Sequence, residues 1–465
     1  MKQACQTIDT VRAELIQLSD QIWSFAETSL KEYKSADASR VYLASKGFRI
    51  EENVAGVPTA FTASWGSGKP IIGFLAEYDA LPGLSNQACS DFKPIQEGAP
   101  GHGCGHNLLG VACVGAVLGL KEEMEAKHLP GTIVYYGCPA EENYSAKAMM
   151  AKHGLFADVD IAFAYHPGSV NGVQLNSSNA NNSLKFTFKG RTAHAGGDPH
   201  NGRSALDAVE LMNVGSNYLR EHVITQARIH YVITDGGMAP NIVPDRAQVW
   251  YFVRAPYVQA LKDIVERVKK IARGAAMMTE TEVDILLESG VWNTLPNEVV
   301  ANVMHEALVE VGPEPWDEED LRFARELSSH VLEEERKIKA ERLGISMDEP
   351  LSSDVKEPSG KGTAMAGSTD VADVSWNCPT VMFGTATNPW AIPGHSWMVT
   401  ASSASSVGHK GMIYAAKAMA AAGLKFLQQP ELVQAAKDEF VKATNGITYE
   451  SFLQHPYPVF PREEK

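Results

Sequence analysis

Apolar positions along this chain follow two alternating periods. Val11, Leu15, Leu18 and Ile22 fall at helix spacing in the first segment. A second helix is predicted from about Ala36 to Ser45, ended by Gly47. FRIEENV, TAFTASW and PIIGFLAEYD follow, and the last is apolar enough for a strand buried on both faces. LLGVACVGAVLGLKEEMEAK reads as a helix packed on a sheet. TIVYYGCPAEE reads as a further buried strand, AKAMMAKHGLF as a helix and VDIAFAYHPG as a short strand. This alternation predicts an α/β unit built on a parallel or mostly parallel sheet.

The texture changes near Asn176. NSSNANNS is polar and turn-rich, and SLKFTFKGRTAHAG then alternates as a half-exposed strand does. A helix over RSALDAVELMNVGSNYLREHV is followed by the strands ARIHYVITDGG and AQVWYFVRAP around the loop MAPNIVPD. The helix VQALKDIVERVKKIARGAAMM and the strand TEVDILLES complete the set. The order β-α-β-β-α-β predicts a small ferredoxin-like unit inserted in the larger one. The expected division is a catalytic unit over 1–176, an insert over 177–292 and a return to the first unit over 293–465. The charged stretch 314–363 is expected to form one helix and a mobile excursion.

Composition narrows the function. A chain of 465 residues is long enough for two domains. A net charge of −15 argues against nucleic acid and anionic membrane as partners. No apolar run approaches the length of a membrane span, and MKQACQTIDTVRAELIQ reads as an amphipathic helix, not a signal peptide. Six scattered cysteines without a CxxC pattern fit free thiols in a reducing cytoplasm.

The candidate chemistry sits where apolar runs end. Cys104 and His106 flank Gly105 in a turn, where both can point at one ion. Alone, the pair could equally be a small buried thiol beside a structural histidine. Glu141 and Glu142 close a buried strand. In extended chain they point opposite ways, so either one holds metal while the other takes a proton from water, or the pair is only the solvated end of a strand. His166 ends IAFAYH, and His395 lies in PGHSW; each alone could be a hydrogen-bonded structural residue. Asp79 is either a turn cap or a carboxylate orienting a ligand imidazole. His102 competes with His106. His194, Asn241 and Arg254, on or beside loops of the insert, suit an acyl oxyanion and a substrate carboxylate, or are ordinary polar positions.

The segments AEYDALPGL, GHGCGHNLLG, PAEE, FAYHP, GRTAHAG, GGMAPNIVPD, GSTDVADVSW and GHSW together resemble the M20 metallopeptidases. The resemblance is to the amidohydrolase branch that contains aminoacyl-amino-acid and auxin-conjugate hydrolases. It spans about residues 20–425. It implies a zinc-peptidase-like catalytic domain with an inserted lid and dimerisation domain. It also implies two divalent ions, zinc or manganese, on Cys104, His106, Glu142, His166 and His395. Glu141 becomes the general base and Asp79 the carboxylate behind the metals. His194 approaches the scissile carbonyl, often from a neighbouring subunit's lid, and Asn241 and Arg254 hold the substrate. Asn107 and Thr369 stand where the branch often has acidic residues, which bears on substrate choice.

The implied reaction is cleavage of an N-acyl or N-aroyl amino acid, with p-aminobenzoyl-glutamate foremost. A dipeptide and an auxin conjugate are the alternatives, and a homodimer or heterodimer is expected. Two other classes stay open: a metal-bound partner subunit with little activity of its own, and a thiol enzyme using Cys104.

Overall fold

The computed structural model describes residues 1–453 and 455–462. Its strands are Arg49–Glu52 (β1), Phe61–Ser67 (β2), Ile71–Ala76 (β3), Gly131–Gly137 (β4), Ile161–Gly168 (β5) and Asn171–Gln174 (β6). They continue as Ala180–Lys189 (β7), Arg228–Asp235 (β8), Arg246–Ala255 (β9), Glu282–Val291 (β10), Val355–Ser359 (β11) and Thr380–Ala386 (β12).

Eight strands form the larger sheet in the order β1-β2-β4-β3-β5-β12-β6-β11. Its centre is parallel: β4 with β3, β3 with β5, and β5 with β12. These four strands therefore end at the same edge. The apolar runs predict this, because a sheet covered on both faces leaves no polar side to its strands. Phe74 of β3 and Phe163 of β5 stack with ring centroids 5.5 Å apart. The helix His106–Lys127 lies on the sheet with every residue from His106 to Leu120 buried. Ser406–Gln428 packs beside it, with Gly115 against Ala416. The α/β class with a mostly parallel sheet is the expected one.

The second sheet has four strands in the order β10-β7-β9-β8, all antiparallel. With the helices Ala205–Leu219 and Val258–Thr279 its sequence order is β-α-β-β-α-β. Inward Leu184, Phe186, Val249, Tyr251, Val253 and Leu261 form a core separate from that of the large sheet.

Three local expectations need correction. The helix predicted from Ala36 begins at Tyr33. The polar run NSSNANNS already contains the start of β7, at Ala180. Residues 314–363 hold two helices, Glu318–Ser328 and Glu333–Leu343, and the edge strand β11. Their charged faces hide a thin apolar seam: Leu327 packs with Ile392 and Val399, and Ala340 with Trp390. Asp317 and Asp320 close the first of these helices with a capping box.

Candidate metal centre

The parallel strands set the site's geometry. Glu77 and Asp79 follow β3, Glu141 and Glu142 follow β4, and His166 lies near the end of β5. Loops beyond the carboxyl ends of parallel strands are where open α/β sheets gather their chemistry. Cys104 and His106 enter from the turn that starts the long helix. Gly105 there has φ +75°, and a Cβ on it would lie 2.9 Å from Pro167. Only glycine meets both demands cheaply.

The imidazoles of His106 and His166 are oriented by their Nδ1 atoms. His106 Nδ1 lies 2.9 Å from Asp79 Oδ1, and His166 Nδ1 lies 2.8 Å from the Pro167 carbonyl. An Nδ1–H donated to oxygen leaves Nε2 with its lone pair. His166 Nε2 faces Cys104 Sγ at 3.4 Å. His106 Nε2 stands 3.2 Å from Glu77 Oε2 and 4.0 Å from Glu142 Oε1. His395 Nε2 lies 3.6 Å from the same Glu142 oxygen. His395 is 60% exposed and adopts φ +50°. That left-handed conformation is uncommon outside glycine and tends to mark functional turns. Asp79 is tied down on its second oxygen by Ser29 Oγ and the Glu142 amide.

These side chains fall into three donor sets: Cys104–His106–His166, Cys104–Glu142–His395 and Glu77–His106–Glu141. Within each set the donor atoms lie within 4.8 Å of one another. Cys104 and His106 each belong to two of the sets. Glu77 Oε2, His106 Nε2 and Glu142 Oε1 are buried without a hydrogen-bond partner. Buried polar atoms are nearly always partnered, so an orphan imidazole nitrogen facing two orphan carboxylate oxygens fits a site for divalent cations. The thiol, imidazole and carboxylate donors suit a transition metal.

Burial alone would lower His106, but Cys104, Glu77 and Asp79 outweigh it and raise it well above the usual imidazole range. Burial pushes the Cys104 thiol up to about 12, opposite to an activated thiol nucleophile. Burial raises Glu141 well above the carboxylate range, and Glu77 and Glu142 add to it. Burial also raises Glu142, partly offset by His106. Burial lowers His166. A bound divalent cation reverses this logic for its ligands.

His102 is not a member of the cluster: its Nε2 meets the Ile22 carbonyl at 3.2 Å, and burial holds it down at about 3. Glu141 and Glu142 diverge, but not as an extended strand. Ala140 has φ +57°, and the pair lies in a turn.

Among the described residues no hydrogen bond or ion pair joins His194, Asn241 or Arg254 to this cluster. His194 and Asn241 are neighbours, since Ala195 N donates to the Asn241 carbonyl at 3.0 Å and His194 bridges to Ile242. Arg254 ends β9. Its Nη1 donates to the Ala366 carbonyl at 3.3 Å, its Nε is buried without a partner, and burial lowers it.

Sequence reasoning passed over three charged residues. Glu77 lies two positions before Asp79, a spacing that should have drawn notice. Lys147 is fully buried on Ala146–Lys152, where AKAMMAK signals nothing. Its Nζ reaches Glu77 Oε1 at 2.5 Å and Asp370 Oδ1 at 2.6 Å. Asp370 also accepts from the Lys147 amide at 2.9 Å.

An α/β sheet whose strand ends gather thiol, imidazole and carboxylate donors, beside an antiparallel insert, fits a metal-dependent enzyme. Comparison with known proteins agrees. The family model described as "M20_dimer: Peptidase dimerisation domain" matches residues 179–277. One of the subunits of p-aminobenzoyl-glutamate hydrolase from Escherichia coli (strain K12) is 39% identical over 456 residues, 95% of each chain. The Xaa-Arg dipeptidase of Homo sapiens is 27% identical, over 94% of this chain and 91% of that one. A Bacillus subtilis crystal structure described as a dinuclear metal binding peptidase from the M20 family shares the fold. It has TM-score 0.57 and 18% identity, over 90% of this chain and 99% of that one. The chain belongs to the M20 family of metallopeptidases and amidohydrolases.

Proposed function

We propose that this chain is a two-metal amidohydrolase that cleaves p-aminobenzoyl-glutamate. The observation that carries the substrate is 39% identity, over 95% of both chains, to a relative named for that hydrolysis. The donor sets sharing Cys104 support two ions. On this reading Cys104, His106, Glu142, His166 and His395 hold the metals, and Asp79 orients His106. When bound, the ions supply Lewis-acid polarisation of the amide and acidification of water.

Glu141, half-buried beside the cluster, takes the proton of the attacking water and delivers it to the leaving amide nitrogen. Arg254, with an uncommitted Nε, forks onto a carboxylate of the amino-acid half. His194 and Asn241, neighbours on the insert, serve the developing oxyanion once that unit or a partner's closes over the site. The division 1–176, 177–292 and 293–465 gives the insert the role of lid and dimerisation unit, supported by the family match over 179–277. The oligomer is a dimer of this chain or a pair with a related chain.

A second reading follows from the Xaa-Arg dipeptidase relative. A dipeptide also ends in a carboxylate for Arg254. One screen separates the readings: metal-replete protein offered p-aminobenzoyl-glutamate, indole-3-acetyl-aspartate and Xaa-Arg dipeptides, each also as its carboxamide. Turnover should be highest on p-aminobenzoyl-glutamate. Preference for the dipeptides would favour the second reading. No turnover on any substrate would leave a metal-bound partner of another catalytic chain.

A further inference from the structure

The proposed ligand set leaves Glu77 without a task, yet Glu77 is the carboxylate nearest His106 Nε2. Its two oxygens are used unequally. Oε1 accepts from Lys147 Nζ at 2.5 Å. Oε2 is buried, has no hydrogen-bond partner, and stands 3.2 Å from His106 Nε2, which also has none. His106 Nδ1 is committed to Asp79, so Nε2 turns a lone pair toward that oxygen. Two lone pairs at this distance repel unless a proton or a metal ion lies between them. Glu141 offers a third oxygen to the same space.

We propose that Glu77 is a further metal ligand, sharing through Oε2 the ion held by His106 Nε2. Lys147 and Asp370 are the positioning pair that fixes it. Lys147 occupies one carboxylate oxygen and so leaves Glu77 monodentate. Asp370 holds Lys147 by its ammonium and by its backbone amide. The lysine is 0% exposed, so the clamp is not averaged by solvent. This rests on the two-metal reading above. It adds a consequence: a carboxylate oxygen beside a thiolate and imidazoles favours a harder, higher-coordinate ion, shifting preference from zinc toward manganese.

The test uses metal-free full-length protein titrated separately with Mn²⁺ and Zn²⁺ by equilibrium dialysis, with Co²⁺ absorption as a second readout. Wild type should bind two ions. Glu77→Gln should weaken one Mn²⁺ site at least tenfold, weaken Zn²⁺ less, and change the Co²⁺ spectrum. Glu77→Asp keeps the charge opposite Lys147 while withdrawing the oxygen by one methylene. It guards against misfolding of the first variant and should weaken Mn²⁺ in the same direction. Lys147→Met should loosen the same site without touching the second. Wild-type Mn²⁺ affinity and an unchanged Co²⁺ spectrum in Glu77→Asp would overturn the proposal while leaving two metals intact. A wild type that binds no divalent ion would overturn both.

Discussion

The two sheets carry their polar chemistry in opposite ways. At the large sheet's edge Glu77, Asp79, His106 and Lys147 are buried, with His106 held by Asp79 and Glu77 by Lys147. On the small sheet His194 and Asn241 sit on exposed loops, and Arg254 finds a single carbonyl. The first arrangement is built before any substrate arrives. Its residual strain, like charges without solvent, is of the kind that a bound cation relieves. The second has little to stabilise it in the isolated chain, so its residues gain a role only when substrate or a partner completes them.

Glu141→Gln should show the largest effect. It removes the proton acceptor and leaves Glu142 in place, so turnover should fall by about 100- to 10,000-fold with metal content unchanged. Loss of metal in the same variant would mean that the two glutamates exchange roles. Next, Asp79→Asn should weaken metal binding by about 10- to 100-fold, because His106 loses the acceptor that fixes its tautomer. Dialysis against a chelator series measures it. Unchanged affinity would show that Asp79 is only a cap for the Glu142 amide.

Arg254→Ala tests the other sheet. A charge-assisted pair is worth about 1.5–3 kcal/mol. The variant should thus lose roughly ten- to a hundredfold in kcat/KM on a carboxylate substrate and much less on its carboxamide. Equal losses on both would make Arg254 structural. Metal removal should then separate the sheets by stability. At free metal a hundredfold above Kd, binding adds about 2.7 kcal/mol. Chelation should lower amide protection in β3, β4 and β5 and spare β7 and β9. Uniform loss would mean that the two cores unfold as one.

The smallest effect probes the large sheet's opposite edge. Asp160 precedes β5 and meets Lys69 at 3.2 Å, the Ile71 amide at 2.6 Å, and Lys437. Burial raises its carboxyl, but Lys437, the Ile71 amide and Lys69 outweigh this and hold it below the usual range. A carboxyl depressed in the folded state adds stability above its unfolded pKa, near 3.9 for Asp. That stability fades as pH falls through the folded value. Asp160→Asn should therefore destabilise at pH 7 and differ progressively less from wild type below about pH 4, as urea midpoints would show.

Much of this was legible in the residues. Apolar runs of strand length, a 22-residue apolar helix and the change of texture near Asn176 marked the two sheets. Hydrophobic period is a local property that survives folding. The motifs around Cys104, Glu141, His166 and His395 marked candidate donors, and the fold brings those segments together. The seam inside 314–363 was lost among charges, because scattered apolar residues carry no period until Ile392 and Trp390 arrive to pack on them.

Residue pattern alone left His102 as a competitor of His106; the family resemblance favoured His106, and the fold sets the two imidazoles in different surroundings. One imidazole faces a backbone carbonyl, the other Asp79 and the donor cluster. Lys147 and Asp370 lie 223 positions apart, and each alone reads as a surface charge. Their pairing with Glu77 exists because the strand ends and two short helices converge at one buried edge. A chain's local pattern determines which elements form. Which charges must neutralise one another depends on distances through space, and those belong to the tertiary structure.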